Sequence, residues 1–298
     1  MSRSAEQPAV AIVVPVRNAG DLLPECLEPI RRQIGEHDSL VVVDDASSDD
    51  TAATAERLGA RVLRRSVAGG PYAARNDGWR ACAQPYILFT DARCVVRPGW
   101  LSRFRRAAAE GGDLIFSDIL VRGGDRLAER VAEQRQHLLT RHYVATPYFL
   151  PYFPTANLAL RRAALEQVDG FRIMPSGGDA DLCWRVQLAG FDRVCAIDES
   201  LMEWRPRETV PALLEQWAKY GRSGARLRVA YADRGAPVKP ALSPLHAVAR
   251  HARRIGQRLR HDGGSPSVTF VDGLADLAEE LAYGHTVRCL RRERSGER

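Results

Sequence analysis

Apolar residues recur in two alternating rhythms along the first 120 positions of this chain. Short, nearly continuous runs occur at Val10–Val16, Leu40–Val43, Ala60–Leu63, Tyr86–Thr90 and Asp113–Val121. Their length and their β-branched content predict strands buried on both faces. Between the runs the apolar positions spread to helical spacing. Leu22, Leu23, Cys26, Leu27, Ile30 and Ile34 form one stripe, which predicts an amphipathic helix. Asp49, Asp50 and Thr51 open a second helix reaching Leu58, with carboxylates at its positive end. Ala73–Ala83 reads as a third helix, and Pro98 starts a fourth. Strand alternating with helix predicts an α/β fold with a mostly parallel, Rossmann-like central sheet flanked by helices. Polar residues gather at the carboxyl ends of the strands, which is where open α/β sheets bind ligands.

Past Arg126 the rhythm changes. A helix is expected over Arg126–His142, then an aromatic and proline-rich loop from Thr146 to Thr155, a short apolar run Asn157–Leu160 and a helix Arg161–Val168. After a turn at Asp169-Gly170, the pair Gly177-Gly178 precedes a helix over Ala180–Ala189. Glu208–Val229 reads as a long helix, Pro237–Pro244 as a linker, and two more helices close the chain. The expected organisation is an α/β domain over 1–203, in halves of about 1–122 and 123–203, followed by a helical C-terminal extension over 204–298.

An apolar fraction of 45% over 298 residues suffices for a core without staples. The six cysteines are scattered singly, and the histidines lack paired zinc spacing, so neither a disulfide framework nor a zinc site is expected. No run of eighteen apolar residues and no apolar signal segment at the start are present, which predicts a cytoplasmic, soluble protein. From Trp204 to Arg298 eighteen Lys/Arg face ten Asp/Glu, a surplus of eight, so the net charge of +6 belongs to that part. Few aromatics interleave with these arginines, which argues against nucleic acid. Arg250–Arg260 could rest on an anionic membrane surface at most peripherally, and a solvated helix packed on its neighbour is the expectation. Trp79, Trp100, Trp184 and Trp217 fall in helices and read as core.

Four segments carry candidate chemistry. Val43-Asp44-Asp45-Ala46-Ser47-Ser48-Asp49 sets two carboxylates at a strand end, able to accept from a pyrimidine or a ribose, or simply to cap the next helix. Phe89-Thr90-Asp91-Ala92-Arg93 repeats a leading carboxylate at a second strand end, which favours a nucleotide site. Gly69-Gly70-Pro71-Tyr72-Ala73-Ala74-Arg75-Asn76 could bring backbone N–H groups and a guanidinium to a phosphate, or be a plain turn. It fits neither the P-loop nor the dinucleotide fingerprint. Gly177-Gly178-Asp179-Ala180-Asp181 places two carboxylates at a helix start, where helix capping explains one more readily than both.

The succession of these motifs resembles a known family. Val14-Pro15-Val16-Arg17-Asn18, Val43-Asp44-Asp45-Ala46-Ser47-Ser48-Asp49, Ala74-Arg75-Asn76 and Thr90-Asp91-Ala92 are followed by Ala156-Asn157-Leu158-Ala159-Leu160-Arg161-Arg162 with Gly170-Phe171. Asp179-Ala180-Asp181-Leu182 and Tyr220-Gly221-Arg222 complete the series. In this order, over roughly Val10 to Leu227, they resemble the signatures of inverting family-2 glycosyltransferases with a GT-A fold. The resemblance implies a nucleotide-sugar donor, a UDP-sugar first, bound by the 1–122 half, and an acceptor and catalytic base in the 123–203 half. Pro15, Arg17, Asn18, Asp44, Asp45, Arg75, Asp91 and Arg93 would line the donor. Asp179 would be the general base and Asp181 its structural partner. Tyr152, Phe153, Asn157, Gly178, Trp204 and Arg207 would lie on the acceptor side, with Tyr148 as a further aromatic there. The acceptor would be a small molecule or a glycan, and the C-terminal helices could form a homodimer.

Three departures bear on mechanism. Arg93 stands where the family carries a metal-binding Asp, Trp204 stands where a metal-binding His is common, and Gly178 stands where Glu often precedes the base. A guanidinium cannot ligate a metal. The expectation is therefore a transferase that requires no cofactor, with Arg93, alone or together with Arg75 or Arg207, stabilising the leaving diphosphate. If that is wrong, Mg or Mn would sit on Asp91. Competing readings are a non-catalytic nucleotide-sugar-binding protein, a sugar-phosphate nucleotidyltransferase, which lacks its glycines after the first strand, and more distantly a nicotinamide oxidoreductase.

Overall fold

The computed structural model describes residues 7–144, 149–261 and 264–295. Along the chain the elements are β1 (Val10–Val16), α1 (Leu23–Arg31), β2 (Ser39–Asp44), α2 (Thr51–Arg57), β3 (Arg61–Arg64), α3 (Pro71–Arg80), β4 (Tyr86–Thr90), β5 (Cys94–Val96), α4 (Trp100–Ala109) and β6 (Leu114–Val121). They continue as α5 (Leu127–Arg135), β7 (Asn157–Arg161), α6 (Arg162–Gln167), α7 (Gly178–Leu188), β8 (Val194–Trp204), α8 (Val210–Ala230), α9 (Pro244–His261) and α10 (Pro266–Ser295). The chain forms two compact units. A sheet unit comprises Met1–Leu120, Leu138–Met174 and Gly178–Trp204, and a helical unit comprises Val121–His137, Pro175–Gly177 and Arg205–Arg298.

The sheet runs in the order β3-β2-β1-β4-β7-β6-β8-β5. The first four strands are parallel, as their continuous apolar runs predict, with Val13 opposite both Val41 and Phe89. Beyond β4 the direction reverses: β7 pairs antiparallel with β4 and β6, and β5 with β8. The expected alternation thus yields a parallel half continued by an antiparallel one. The main core lies where α3, α6 and α7 cover this sheet, with Val13, Val43, Phe89, Phe116, Leu158 and Leu182 at its centre. Gly78 lets α3 press onto the strands, since a Cβ there would meet the side chains of Val13 and Val43.

Three elements differ from the expectations. The helix expected to reach His142 stops at Arg135, because Gln136 turns left-handed (φ 40°) and its amide bonds both backbone groups of Val121 at 2.9 and 3.0 Å. A single 3-10 turn, Thr140–His142, follows. Strands β5 and β8 were not legible at all; β5 is three residues long, and β8 is largely half-exposed until Met202 and Trp204. The loop residues Thr146 to Tyr148 lie outside the described residues.

In the helical unit α8, α9 and α10 pack on one another and on α5. Gly221 of α8 faces α10 so closely that a Cβ would overlap the Glu279 carbonyl. Arg135 of α5 stacks over Trp217, 4.1 Å from the ring centroid, and pairs with Asp272 and with Asp276 at 2.7 Å. No described helix is long and apolar enough to cross a membrane.

Candidate active site

Strand ends and helix starts of the sheet unit bring the candidate residues together. At the end of β2, Asp44 and Asp45 are both buried. Asp44 accepts from the Ser47 N–H at 3.0 Å, which shapes the strand-to-helix turn. The Asp45 carboxylate accepts from the Gly69 and Gly70 N–H groups, each at 2.8 Å, and pairs with Arg65 at 2.9 Å. Those two N–H groups therefore point at a protein carboxylate. Their effect is to tether the start of α3 to the end of β2.

Held at that end by Asp45 and further along by Gly78, α3 presents Tyr72 and Arg75 on one face, as their i, i+3 spacing requires. Asn76, just over one turn on from Tyr72, donates to the Phe171 carbonyl at 2.7 Å and accepts from the Phe171 N–H at 2.9 Å. This reciprocal pair brings the Gly170-Phe171 turn onto α3, and Phe171 stacks on Tyr72 with centroids 5.6 Å apart. Arg75 lies over both rings, 5.8 and 6.0 Å from their centroids, and is only 4% exposed. Its Nη2 pairs with Asp91 Oδ1 at 2.5 Å, while its buried Nε has no partner. Asp91, at the end of β4, remains open to solvent on one side. Its backbone carbonyl accepts from the Cys94 N–H at 2.9 Å and from the Cys26 thiol. Burial pushes the Cys94 thiol up to about 12 and that of Cys26 well above its ordinary value, so both remain neutral beneath the carboxylate.

Asp179 enters from the start of α7. The Gly178 N–H donates to the Tyr72 hydroxyl at 2.9 Å, and a Cβ at position 178 would meet the Tyr72 ring at 2.7 Å. Glycine at 178 is thus a packing requirement of Tyr72. Asp179 is half-buried, and loss of hydration raises its carboxyl above the usual range. The Ala180 N–H, at 3.0 Å, and the charge of Arg75 offset part of that rise, whereas the charge of Asp91 adds to it. Burial and the same Asp179 charge also push the Tyr72 phenol upward. Asp91, Arg75, Tyr72 and Asp179 therefore share one electrostatic environment.

Asp181 is 1% exposed and fully engaged, accepting from Arg185 at 2.8 Å and Arg172 at 3.1 Å. Arg185 in turn donates to the Val168 and Gly170 carbonyls. The second carboxylate of the pair thus ties α7 to the 168–170 turn.

The other expected residues are placed as follows. Pro15 is half-buried; Arg17 and Asn18 are exposed, and Asn18 is left-handed (φ 48°) with its side chain accepting from the Ser48 N–H at 2.9 Å. Arg93 is half-buried in the turn after β4. Tyr152 is half-buried, edge-on to Tyr143 and Trp184. Phe153 stacks on Phe116 beneath the surface. Asn157 is 1% exposed and turned inward, accepting from Trp100 at 2.8 Å and donating to Ser117. A shallow recess is bordered by Ser117, Thr140, Tyr143, Phe153 and Asn157. Trp204 is buried opposite Cys94 at the β5–β8 edge, and Arg207 is exposed in the helical unit. Tyr148 lies outside the described residues. Tyr72 and Arg65 carry no role in the sequence reading. The i, i+3 spacing of Tyr72 to Arg75 was a usable signal; nothing local marks Arg65 as the partner of Asp45.

Among the described residues no three His, Cys, Asp or Glu side chains stand together as a metal site. Asp91 faces a guanidinium, and the position two residues on is Arg93. A cation on Asp91 would compete with the Arg75 guanidinium for the same carboxylate.

The model of glycosyl transferase family 2 matches residues 11–169. Pre-mycofactocin glycosyltransferase of Mycobacterium tuberculosis is 30% identical over 240 residues, 77% of this chain and 49% of that protein. The chain thus spans about half the length of this curated relative. Among solved structures, the mannosyltransferase PcManGT of Pyrobaculum calidifontis, in complex with GDP-Man and Mn2+, is 19% identical with a TM-score of 0.60, covering 98% of this chain and 87% of that one. TarS 1-349 of S. aureus, in complex with UDP-GlcNAc, is 16% identical with a TM-score of 0.53, covering 95% and 92%.

Proposed function

This chain belongs to glycosyl transferase family 2 and has a GT-A fold, and we propose on that premise that it transfers a sugar from a nucleotide-sugar donor, a UDP-sugar first, to an acceptor hydroxyl with inversion. Complexes of the structural neighbours with GDP-Man and UDP-GlcNAc support a donor of this class. The observation that carries the reading is Arg75. It is a buried guanidinium on Asp91 with an unpartnered Nε, next to a carboxylate whose pKa is raised. Leaving a buried donor unsatisfied costs about 1–3 kcal/mol, which a bound phosphate oxygen would recover.

In this mechanism Pro15, Arg17, Asn18 and Asp44 border the nucleotide, while Asp45 acts on it through the start of α3. Asp91 meets the ribose or the diphosphate, and Arg75 and Arg93 face the diphosphate. The acceptor oxygen attacks the anomeric carbon from the side opposite the leaving group. Its proton passes to Asp179, the bond from that carbon to the diphosphate oxygen breaks, and the nucleoside diphosphate leaves. Desolvation suits Asp179 to the task, since a general base works best with a pKa drawn toward the operating pH. Asp181 holds α7 in register. Tyr152 and the recess at Phe153 and Asn157 border the acceptor, a hexose-accepting glycan or a small molecule. Positive charge from Arg75 and Arg93 stabilises the departing diphosphate, so no protein-held metal is required.

A thermal-shift screen against UDP-, GDP-, dTDP- and CDP-sugars, with and without EDTA, tests the donor class. One donor is expected to stabilise the protein equally under both conditions. Silence with all four would overturn the proposal, and stabilisation only with added Mn2+ would overturn its metal-free part. A donor shift without release of free nucleotide in the presence of acceptors would favour a binding protein instead.

A further inference from the structure

We infer that the exposed face of α9 docks on an anionic lipid bilayer, lying within the headgroup layer. This eighteen-residue helix contains five arginines and no carboxylate. Ala247, His251 and Ile255 turn inward and are buried. Arg250 pairs with Glu280 and Arg258 with Asp272, so two of the arginines anchor the helix to α10. Arg253, Arg254 and Arg260 are exposed, with no ion pair among the described residues.

The sector beside the buried face is what a merely solvated helix would not show. Leu245 is 83% exposed, Val248 46% and Leu259 44%, and the exposed Ala249 and Ala252 lie between them at helical spacing. At 100° per residue these five fall within one 100° sector, and Arg253 and Arg260 lie together along its solvent-side edge. Phe270 of α10, 49% exposed, adds a further apolar side chain near the C-terminal half of α9, where Gly273 packs on Ile255.

An apolar sector edged by guanidinium groups complements an anionic bilayer surface, where the side chains enter the acyl boundary and the arginines take lipid phosphates. A nucleic acid would use the arginines but leave Leu245, Val248 and Leu259 in water. A symmetric contact with a second copy would set this carboxylate-free helix against itself, so like charges would oppose it. No described helix is long and apolar enough to cross the bilayer, and the proposal concerns surface attachment through α9.

The test is co-sedimentation of the full chain with phosphatidylcholine vesicles, with and without one-third phosphatidylglycerol, at low and high salt. Binding is expected on the anionic vesicles only and is expected to fall with salt. Arg253→Glu with Arg260→Glu should lower the partition coefficient more than about tenfold, because each arginine near such a surface contributes about fivefold. Leu245→Ser with Leu259→Ser should lower it comparably at unchanged charge. All four positions are exposed, and circular dichroism verifies the fold of each variant. Failure to bind, equal binding to neutral vesicles, or undiminished binding by both double variants would overturn the inference. So would capture of a short RNA that anionic vesicles do not displace, or light scattering that shows a dimer abolished by Leu245→Ser without vesicle binding.

Discussion

Asp179 is half-buried at the start of α7, and burial raises its carboxyl above the ordinary range against the partial relief of Ala180 and Arg75. As a base it must be ionised, so the acid limb of the pH–rate profile is expected above the ordinary carboxylate range. Asp179→Asn should lower turnover about 10²–10⁴-fold, with the donor-induced thermal shift retained. The same raised pKa has a stability consequence. A group that binds its proton more tightly in the folded state favours folding fully below its unfolded pKa and loses that contribution as pH rises through the folded value. Asp179→Asn should therefore raise the melting temperature at neutral pH, with the gain fading as pH falls through the raised folded value and gone below about 4, as thermal unfolding across pH will measure. At the neighbouring position, Gly178→Ala would drive a methyl into the Tyr72 ring and is expected to cost about 1–3 kcal/mol. Much of that cost should be absent in a Tyr72→Ala background, a coupling that chemical denaturation of the four proteins can resolve.

Helix α3 is the element on which the site depends. Asp45 holds its first residues, Gly78 sets its depth on the sheet, and Asn76 ties the Gly170-Phe171 turn to it. Tyr72 and Arg75 inherit their positions from those three attachments. Asp45→Ala leaves the Gly69 and Gly70 N–H groups without their acceptor and is expected to destabilise the fold by about 1–3 kcal/mol in urea unfolding, with weaker donor binding as a consequence. A pure contact with the nucleotide would instead weaken binding at unchanged stability, so the two measurements separate the roles. The family motifs at Asp45, Arg75-Asn76 and Gly170-Phe171 are thus one mechanical assembly, although each reads singly as a turn.

For the molecule as a whole, a ligand that binds only the folded state stabilises it in proportion to saturation. A donor sugar at about a hundred times its dissociation constant should add about 2.7 kcal/mol, visible as a shift in melting temperature. Arg75→Ala is expected to abolish that shift for the intact donor. The unmodified protein should show the shift undiminished in EDTA, since Asp91 faces Arg75 and no cluster of acid or imidazole ligands accompanies it among the described residues.

The chain's local rhythm was sufficient for much of this. Continuous apolar runs announced β1, β2, β4 and β6, spaced ones announced α1, and the carboxylates at Asp45, Asp91 and Asp179 could be picked out because strand ends and helix starts are local features. Strands β5 and β8 escaped, since a three-residue strand and a half-exposed one leave no periodic trace. The end of α5 escaped because the side chain that stops it bonds fifteen residues upstream, at Val121. Which face each carboxylate turns to was also beyond the sequence. Asp45 and Asp181 spend theirs on the protein's own N–H groups and arginines, while Asp91 and Asp179 share an environment with Arg75. Periodicity and composition are properties of neighbours along the chain, whereas that division of labour depends on strand register and on how deeply one helix sits against the sheet, and those are fixed only when distant segments pack.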